Sequence, residues 1–162
     1  MSFTNKDQGY ELRETPGKGE GIFATKNFQP GDLVMVGRIE KFVDKNNSHA
    51  SQIGLHTHVM HAGLISKVNH SCEPNCGIRV NDTGGHNFVA FKPIKVGDEI
   101  TFDYAMRNYS VDYFGEQCRC GSTQCRGKIT GWKDLPEQKK QEYQGFIAPY
   151  LLEMDNDRQL VC

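Results

Sequence analysis

Short apolar runs alternate along this chain with turn-forming residues. GIFATKNF at 21–28, LVMVG at 33–37, NFVAFKPI at 87–94 and EITFDY at 99–104 are set off by QPGD and KVGD. Runs of this length between Gly-Asp turns predict strands in small antiparallel sheets, so the fold class reads as mainly β with short helices. Ala24–Val34 and Ala90–Ile100 share one pattern, A-x-K-x-apolar-x-x-G-D-x-apolar. Each copy predicts a strand, a turn in which Gly31 or Gly97 supplies the unusual φ, and a second strand, giving two similar corners of one sheet fold. Residues 44–68, rich in Asn, Ser and His, read as loop and short helix. After Gly131 the period changes. Asp134-Leu135-Pro136-Glu137 has the look of a helix start, and Tyr143, Phe146, Ile147, Tyr150 and Leu151 fall on one apolar face that Pro149 should kink or divide.

Composition adds bounds. The 162 residues are 37% hydrophobic, enough for one domain with a core of its own. Nineteen Lys and Arg face twenty Asp and Glu for a net charge of −1, which argues against a generic grip on nucleic acid or anionic lipid. No apolar run approaches the roughly 20 residues that span a bilayer, and the amino end lacks a signal-peptide layout. The expected setting is intracellular, cytoplasmic or nuclear, with no membrane association.

In that setting six cysteines are better explained by metal than by disulfides. Cys118, Cys120 and Cys125 form a Cys-x-Cys-x4-Cys loop in which a turn at Gly121 can aim three thiolates at one tetrahedral centre. A fourth ligand must come from elsewhere, with Cys72 and Cys76 the candidates and the histidines at 49, 56, 58, 61, 70 and 86 behind them. The run His56-x-His58-x-x-His61 reads as a solvated polar loop. Gly17, Gly19 and Gly21 precede a strand and would let backbone approach a ligand, although the Walker and GxGxxG spacings are absent. Cys76 reads as a packing residue and Cys162 as an exposed terminal thiol.

Taken in order, Gly19-Glu20-Gly21, Asn69-His70-Ser71-Cys72-Glu73-Pro74-Asn75, Gly97-Asp98-Glu99-Ile100-Thr101-Phe102-Asp103-Tyr104 and Cys118-x-Cys120-x4-Cys125 closely resemble the SET-domain protein lysine methyltransferases with a post-SET zinc loop. The resemblance implies a SET domain over 9–108, with small sheets around a pseudo-knot, a post-SET zinc loop over 114–130 and a C-terminal helical extension over 133–162. It implies that Lys18, Gly19, Glu20 and Gly21 hold S-adenosylmethionine together with Asn69, His70 and Tyr104. Tyr104 would be the active-site tyrosine, and Phe102 the position that governs how many methyl groups accumulate, with Phe permitting di- or trimethylation. Cys72 would complete one structural zinc site with Cys118, Cys120 and Cys125. Neither Asp103 nor Glu99 is needed as a general base.

The sequence departs from its relatives in two places. Val34-Met35-Val36-Gly37-Arg38 stands where many have Glu-Tyr-x-Gly-Glu, and Ala62-Gly63 and Ser66 stand where Gly-Asn and Arg commonly precede the Asn-His pair. The expected partner is a protein or peptide substrate bearing lysine, met by a monomer with no direct nucleic-acid contact. No chromatin-reader domain accompanies the motif set, so histone specificity is not inherited. Against the enzyme stands a SET-like zinc module that binds cofactor or peptide without turnover. A zinc-dependent nucleic-acid binder lacks a basic face.

Overall fold

The two echoing stretches meet and interlock. In the computed structural model, which describes residues 8–17, 19–45, 50–111 and 117–160, Phe28 and Ile94 form an antiparallel bridge and exchange both backbone hydrogen bonds, at 2.8 and 2.9 Å. Four further backbone bonds across the contact fall into matched pairs. Ala24 N donates to Asp98 O and Ala90 N to Asp32 O, while Gly31 N donates to Ala90 O and Gly97 N to Ala24 O. The two turns match as well. Asp32 Oδ2 accepts from Gln29 N as Asp98 Oδ2 accepts from Lys95 N, and Gly31 and Gly97 take φ of 94° and 91°. Only glycine adopts that φ without strain, which is why both copies keep G-D.

Around this joint lie three small sheets. The first has the order β1 (Tyr10–Thr15), β2 (Gly19–Ala24), β10 (Glu99–Phe102), β7 (Asn69–His70), antiparallel except for the parallel β7–β10 pair. The second has the order β3 (Leu33–Met35), β9 (His86–Ala90), β8 (Cys76–Val80). Ile22, Met35, Ile78, Phe88, Ile100 and Phe102 from these two sheets and Phe28 and Ile94 from the bridge fill one core together with Trp132, Tyr143 and Leu151. The mainly β fold with short helices and small antiparallel sheets is the one the apolar pattern predicts.

The third sheet corrects the reading of 44–68 as loop and short helix. β4 (Ile39–Val43), β6 (His58–His61) and β5 (Ser51–Gln52) pair in the order β4-β6-β5, followed by one 3-10 turn at Ile65–Lys67. In β6, buried Val59 and His61 alternate with half-buried His58 and Met60. The strand period is there, carried by histidines that read as polar. His61 is therefore not solvated. Its Nδ1 lies 3.0 Å from Ser51 Oγ, and its Nε2 accepts from the His86 backbone N–H.

The C-terminal helix is likewise divided. A 3-10 turn at Trp132–Asp134 precedes α1 (Glu137–Glu142), which opens within the Asp134–Glu137 stretch, at Pro136 with Glu137 in its first turn and no side-chain cap. Gly145, at φ 84°, turns the chain toward α2 (Tyr150–Leu160) just after Pro149. Tyr143, Ile147, Tyr150 and Leu151 are nevertheless buried on one side. Phe146 lies directly over Gly77, where an added Cβ would sit 2.4 Å from the Phe146 Cβ.

His61 and His86 make the fold acid-sensitive. Burial, with the Arg107 charge adding to it, lowers His61 to about 4, and the same causes together with His61 lower His86 well below its usual value. Between pH 6.5 and 4 the unfolded chain therefore binds more protons than the folded one. Stability is complete above about pH 6.5 and is lost as pH falls through that window, by up to about 1.4 kcal/mol per pH unit for each histidine. Urea unfolding at pH 7.5, 6 and 5 should show this slope, and His86→Leu should flatten it.

Candidate active site and metal centre

Strands β2, β10 and β7 bring the motif residues together at one end of the first sheet. Asn69 Nδ2 donates to Glu20 O at 2.9 Å and to Glu99 Oε1 at 2.8 Å, stitching all three strands. Gly21 lies beneath this crossing, where a Cβ would fall 2.7 Å from Glu99 Oε1 and 3.0 Å from Asn69 Nδ2, so a side chain there would displace the groups that make it. Gly19, at φ 75°, has open space where a Cβ would stand, and with Glu20 it is exposed. Lys18 lies outside the described residues. Asn75 adds two further bonds to β10, to Glu99 O and from Thr101 N.

β10 ends in Phe102, Asp103 and Tyr104, all buried. The Tyr104 ring lies 5.0 Å from Phe102 and meets His70 edge-on at 5.2 Å. The Arg107 guanidinium stacks 4.5 Å above Phe102, and Phe88 meets the Phe102 ring edge-on at 4.8 Å. Burial raises the Tyr104 hydroxyl above its usual value, against a pull from Arg107, which keeps a neutral phenol at neutral pH.

The hydrogen bonds of His70 fix its tautomer. Tyr104 N donates to Nδ1 at 3.1 Å, so Nδ1 carries no proton and its 3.6 Å approach to Asp103 Oδ1 is not an ion pair. The proton then sits on Nε2, 3.5 Å from Cys72 Sγ. One imidazole thus connects the backbone of Tyr104 to a cysteine sulfur.

That sulfur belongs to a cluster. Cys72, Cys118, Cys120 and Cys125 place their sulfurs within 4.8 Å of one another. Cys72 and Cys118 are 3.9 Å apart, far beyond a disulfide and close to the roughly 3.8 Å edge of a tetrahedron with Zn–S bonds of about 2.3 Å. Arg126 N points to Cys72 Sγ and Gly127 N to Cys125 Sγ, both at 3.4 Å. Burial pushes Cys72 up to about 11 and Cys118 higher still, while backbone N–H donors at Cys72 and Ser122 overcome burial to hold Cys120 down to about 7. A divalent cation would remove this conflict between burial and charge, so the donor set fits a metal. Cys76 is fully buried in the hydrophobic core, outside the cluster, and burial raises its thiol. Cys162 lies outside the described residues.

Sequence reasoning missed what holds the cluster in place. Asp103 is fully buried and accepts two bonds from Arg126 at 2.7 and 3.0 Å, one from Ala105 N at 3.0 Å and one from the Tyr143 hydroxyl at 3.0 Å. Ser122 Oγ donates to Glu73 at 2.6 Å, a second tie between the loop and the segment after His70. The available signal was an acid at the end of the apolar run ITF, because a buried carboxylate demands a cation.

The SET-domain model matches residues 19–105, more than half of the chain. The chain belongs to the SET-domain family. It is similar to the histone-lysine N-methyltransferase Set2 of Drosophila melanogaster, 33% identical over 143 residues, covering 76% of this chain and 6% of that protein. It is also similar to the human histone-lysine N-methyltransferase SETD2, 30% identical over 141 residues (75% and 5%), and to the Drosophila histone-lysine N-methyltransferase ash1, 42% identical over 67 residues (40% and 3%). This SET domain thus corresponds to a small fraction of the length of those relatives.

The buried pair gives a direct test. Arg126→Met leaves Asp103 buried without a cation and should cost about 3–5 kcal/mol in urea unfolding. The double variant Asp103→Asn/Arg126→Met should lose clearly less than the two single losses together, because no unpaired charge remains.

Proposed function

We propose that the chain is a protein lysine methyltransferase, moving a methyl group from S-adenosylmethionine to the side-chain amine of a lysine in a protein or peptide substrate. Membership of the SET-domain family supports this, as do relatives named histone-lysine N-methyltransferase. The observation that carries it is Tyr104, buried at the end of β10 with its backbone fixed by His70 and its ring against Phe102. Lys18, Gly19, Glu20, Gly21, Asn69 and His70 would hold the cofactor, whose sulfonium supplies the methyl. Gly19 and Glu20 offer it an open, exposed edge, and the cradle at Gly21 sets the strand spacing beside that edge.

What remains for the protein is alignment. Methyl transfer is a displacement at carbon, and holding nitrogen and methyl in near-attack contact at about 3–3.5 Å supplies much of the rate. The amine must arrive neutral, and a buried aromatic site disfavours the ammonium. Tyr104 keeps its proton and orients the amine, so no carboxylate base is needed. Asp103 is already committed to Arg126 and Tyr143, and Glu99 to Asn69. One structural zinc on Cys72, Cys118, Cys120 and Cys125 would crosslink the loop to the segment bearing His70. Phe102 favours di- or trimethylation. We assign the protein to the cytoplasm or nucleus, as a monomer.

One observation favours the weaker reading of a module without turnover. Met35, where many relatives carry tyrosine, is buried in the core opposite Phe88 and offers no hydroxyl. Incubation with labelled S-adenosylmethionine and a cell lysate separates the two readings. The native protein should label protein bands, and Tyr104→Phe should label them about 10²-fold more slowly, the scale of losing one preorganised hydrogen-bonding group. Native labelling no higher than that of Tyr104→Phe overturns the enzyme.

Two further outcomes follow from the same reading. Metal analysis should find about one zinc per chain, and Cys118→Ser should lose it and weaken cofactor binding. Free thiols with no metal would refute the zinc site. Mass spectrometry of a good substrate should show two or three methyl groups, and strict monomethylation would refute the role of Phe102.

A further inference from the structure

The C-terminal segment reaches the candidate site through one side chain. Tyr143, fully buried after α1, donates its hydroxyl to Asp103 Oδ2, the same oxygen that accepts the 2.7 Å bond from Arg126 Nη1. Its ring is fixed edge-on by Phe91 at 5.8 Å. The backbone that follows is pinned on both sides, with Ile78 N donating to Phe146 O and Ala148 N to Met106 O. Tyr143 therefore approaches Asp103 from a firm base.

Arg126 is the other end of the connection. It directly follows Cys125, its own N–H points to Cys72 Sγ, and its guanidinium is anchored by the Asp103 carboxylate. The bidentate geometry requires the carboxylate in one orientation, with Oδ1 also taking Ala105 N. Tyr143 occupies the remaining direction on Oδ2, so the carboxylate cannot rotate away from Arg126 without breaking a buried hydrogen bond. Residues 117–128, closed at their base by the Gln117–Lys128 bridge, otherwise present exposed Arg119, Gly121, Thr123, Gln124 and Lys128.

We propose that Tyr143 is a positioning residue that latches the cysteine loop: its hydroxyl holds Asp103 in the orientation that grips Arg126, so that loop closure, and with it cofactor affinity, depends on the C-terminal segment. The kinetic half of this rests on the methyltransferase reading. The mechanical half does not.

Tyr143→Phe removes the hydroxyl and keeps the ring. Phe146→Ala is the control, since it loosens the same segment over Gly77 without touching Asp103. Trypsin cleavage after Arg119 reports loop opening with neither cofactor nor turnover, and should be about tenfold faster in Tyr143→Phe, equivalent to about 1.4 kcal/mol in the opening equilibrium. In Phe146→Ala it should stay near the native rate even where the melting temperature falls as far. In the methylation assay, Tyr143→Phe should raise the KM for S-adenosylmethionine several-fold with kcat nearly unchanged. Native cleavage rates in Tyr143→Phe, or equal acceleration in Phe146→Ala, overturn the latch. If the native protein methylates nothing, the methyltransferase reading fails while the cleavage comparison still decides the latch.

Discussion

A single buried negative charge organises this molecule. Asp103 has no exposed surface, and a carboxylate in that position is tolerable only with its lone pairs filled. Filling them joins three separate pieces of chain: its own strand end and turn through Ala105, the cysteine loop through Arg126 and the C-terminal segment through Tyr143. Hydrophobic burial alone would let these pieces slide over one another at little cost. The carboxylate does not, because each donor must arrive at a stated oxygen.

The second organising element is directional. The ring of His70 accepts a hydrogen bond from the Tyr104 backbone N–H and presents its own N–H to Cys72, so its two nitrogens point at two different functions. A change at the sulfur cluster is felt one residue from the tyrosine that would face the substrate. The cysteine cluster and the proposed chemistry are therefore coupled through a rigid ring rather than through a flexible loop.

Much of this was readable in the sequence where the signal is local. The Gly-Asp turns, the strands flanking them and the grouping of cysteines each depend on a few adjacent residues, and the structure builds them as those residues suggest. The third sheet was not readable, because β6 is spelled His-Val-Met-His and its inward histidine is indistinguishable by composition from a solvated one. The helix start at Asp134–Glu137 was readable, because Pro136 and Glu137 are local signals, whereas the 3-10 turn at Trp132–Asp134 just before it left no such mark. Around the site, the four cysteines could be named from spacing and resemblance. The partnership of Asp103, Arg126 and Tyr143 could not, since it exists only once segments distant in the chain have been folded together.

The interlock of the two echoing stretches has a consequence for how the chain comes into being. Ala24, Phe28 and Gly31 find their hydrogen-bond partners at Asp98, Ile94 and Ala90, and neither corner can close upon itself. During synthesis β2 can already pair with β1, but Phe28 and β3 of the first corner must wait for Ile94 and β9 to leave the ribosome. Such non-local closure is slow and leaves a long interval of exposure. Substitutions at Phe28 or Ile94 should therefore be felt first in the yield of folded protein from the cell.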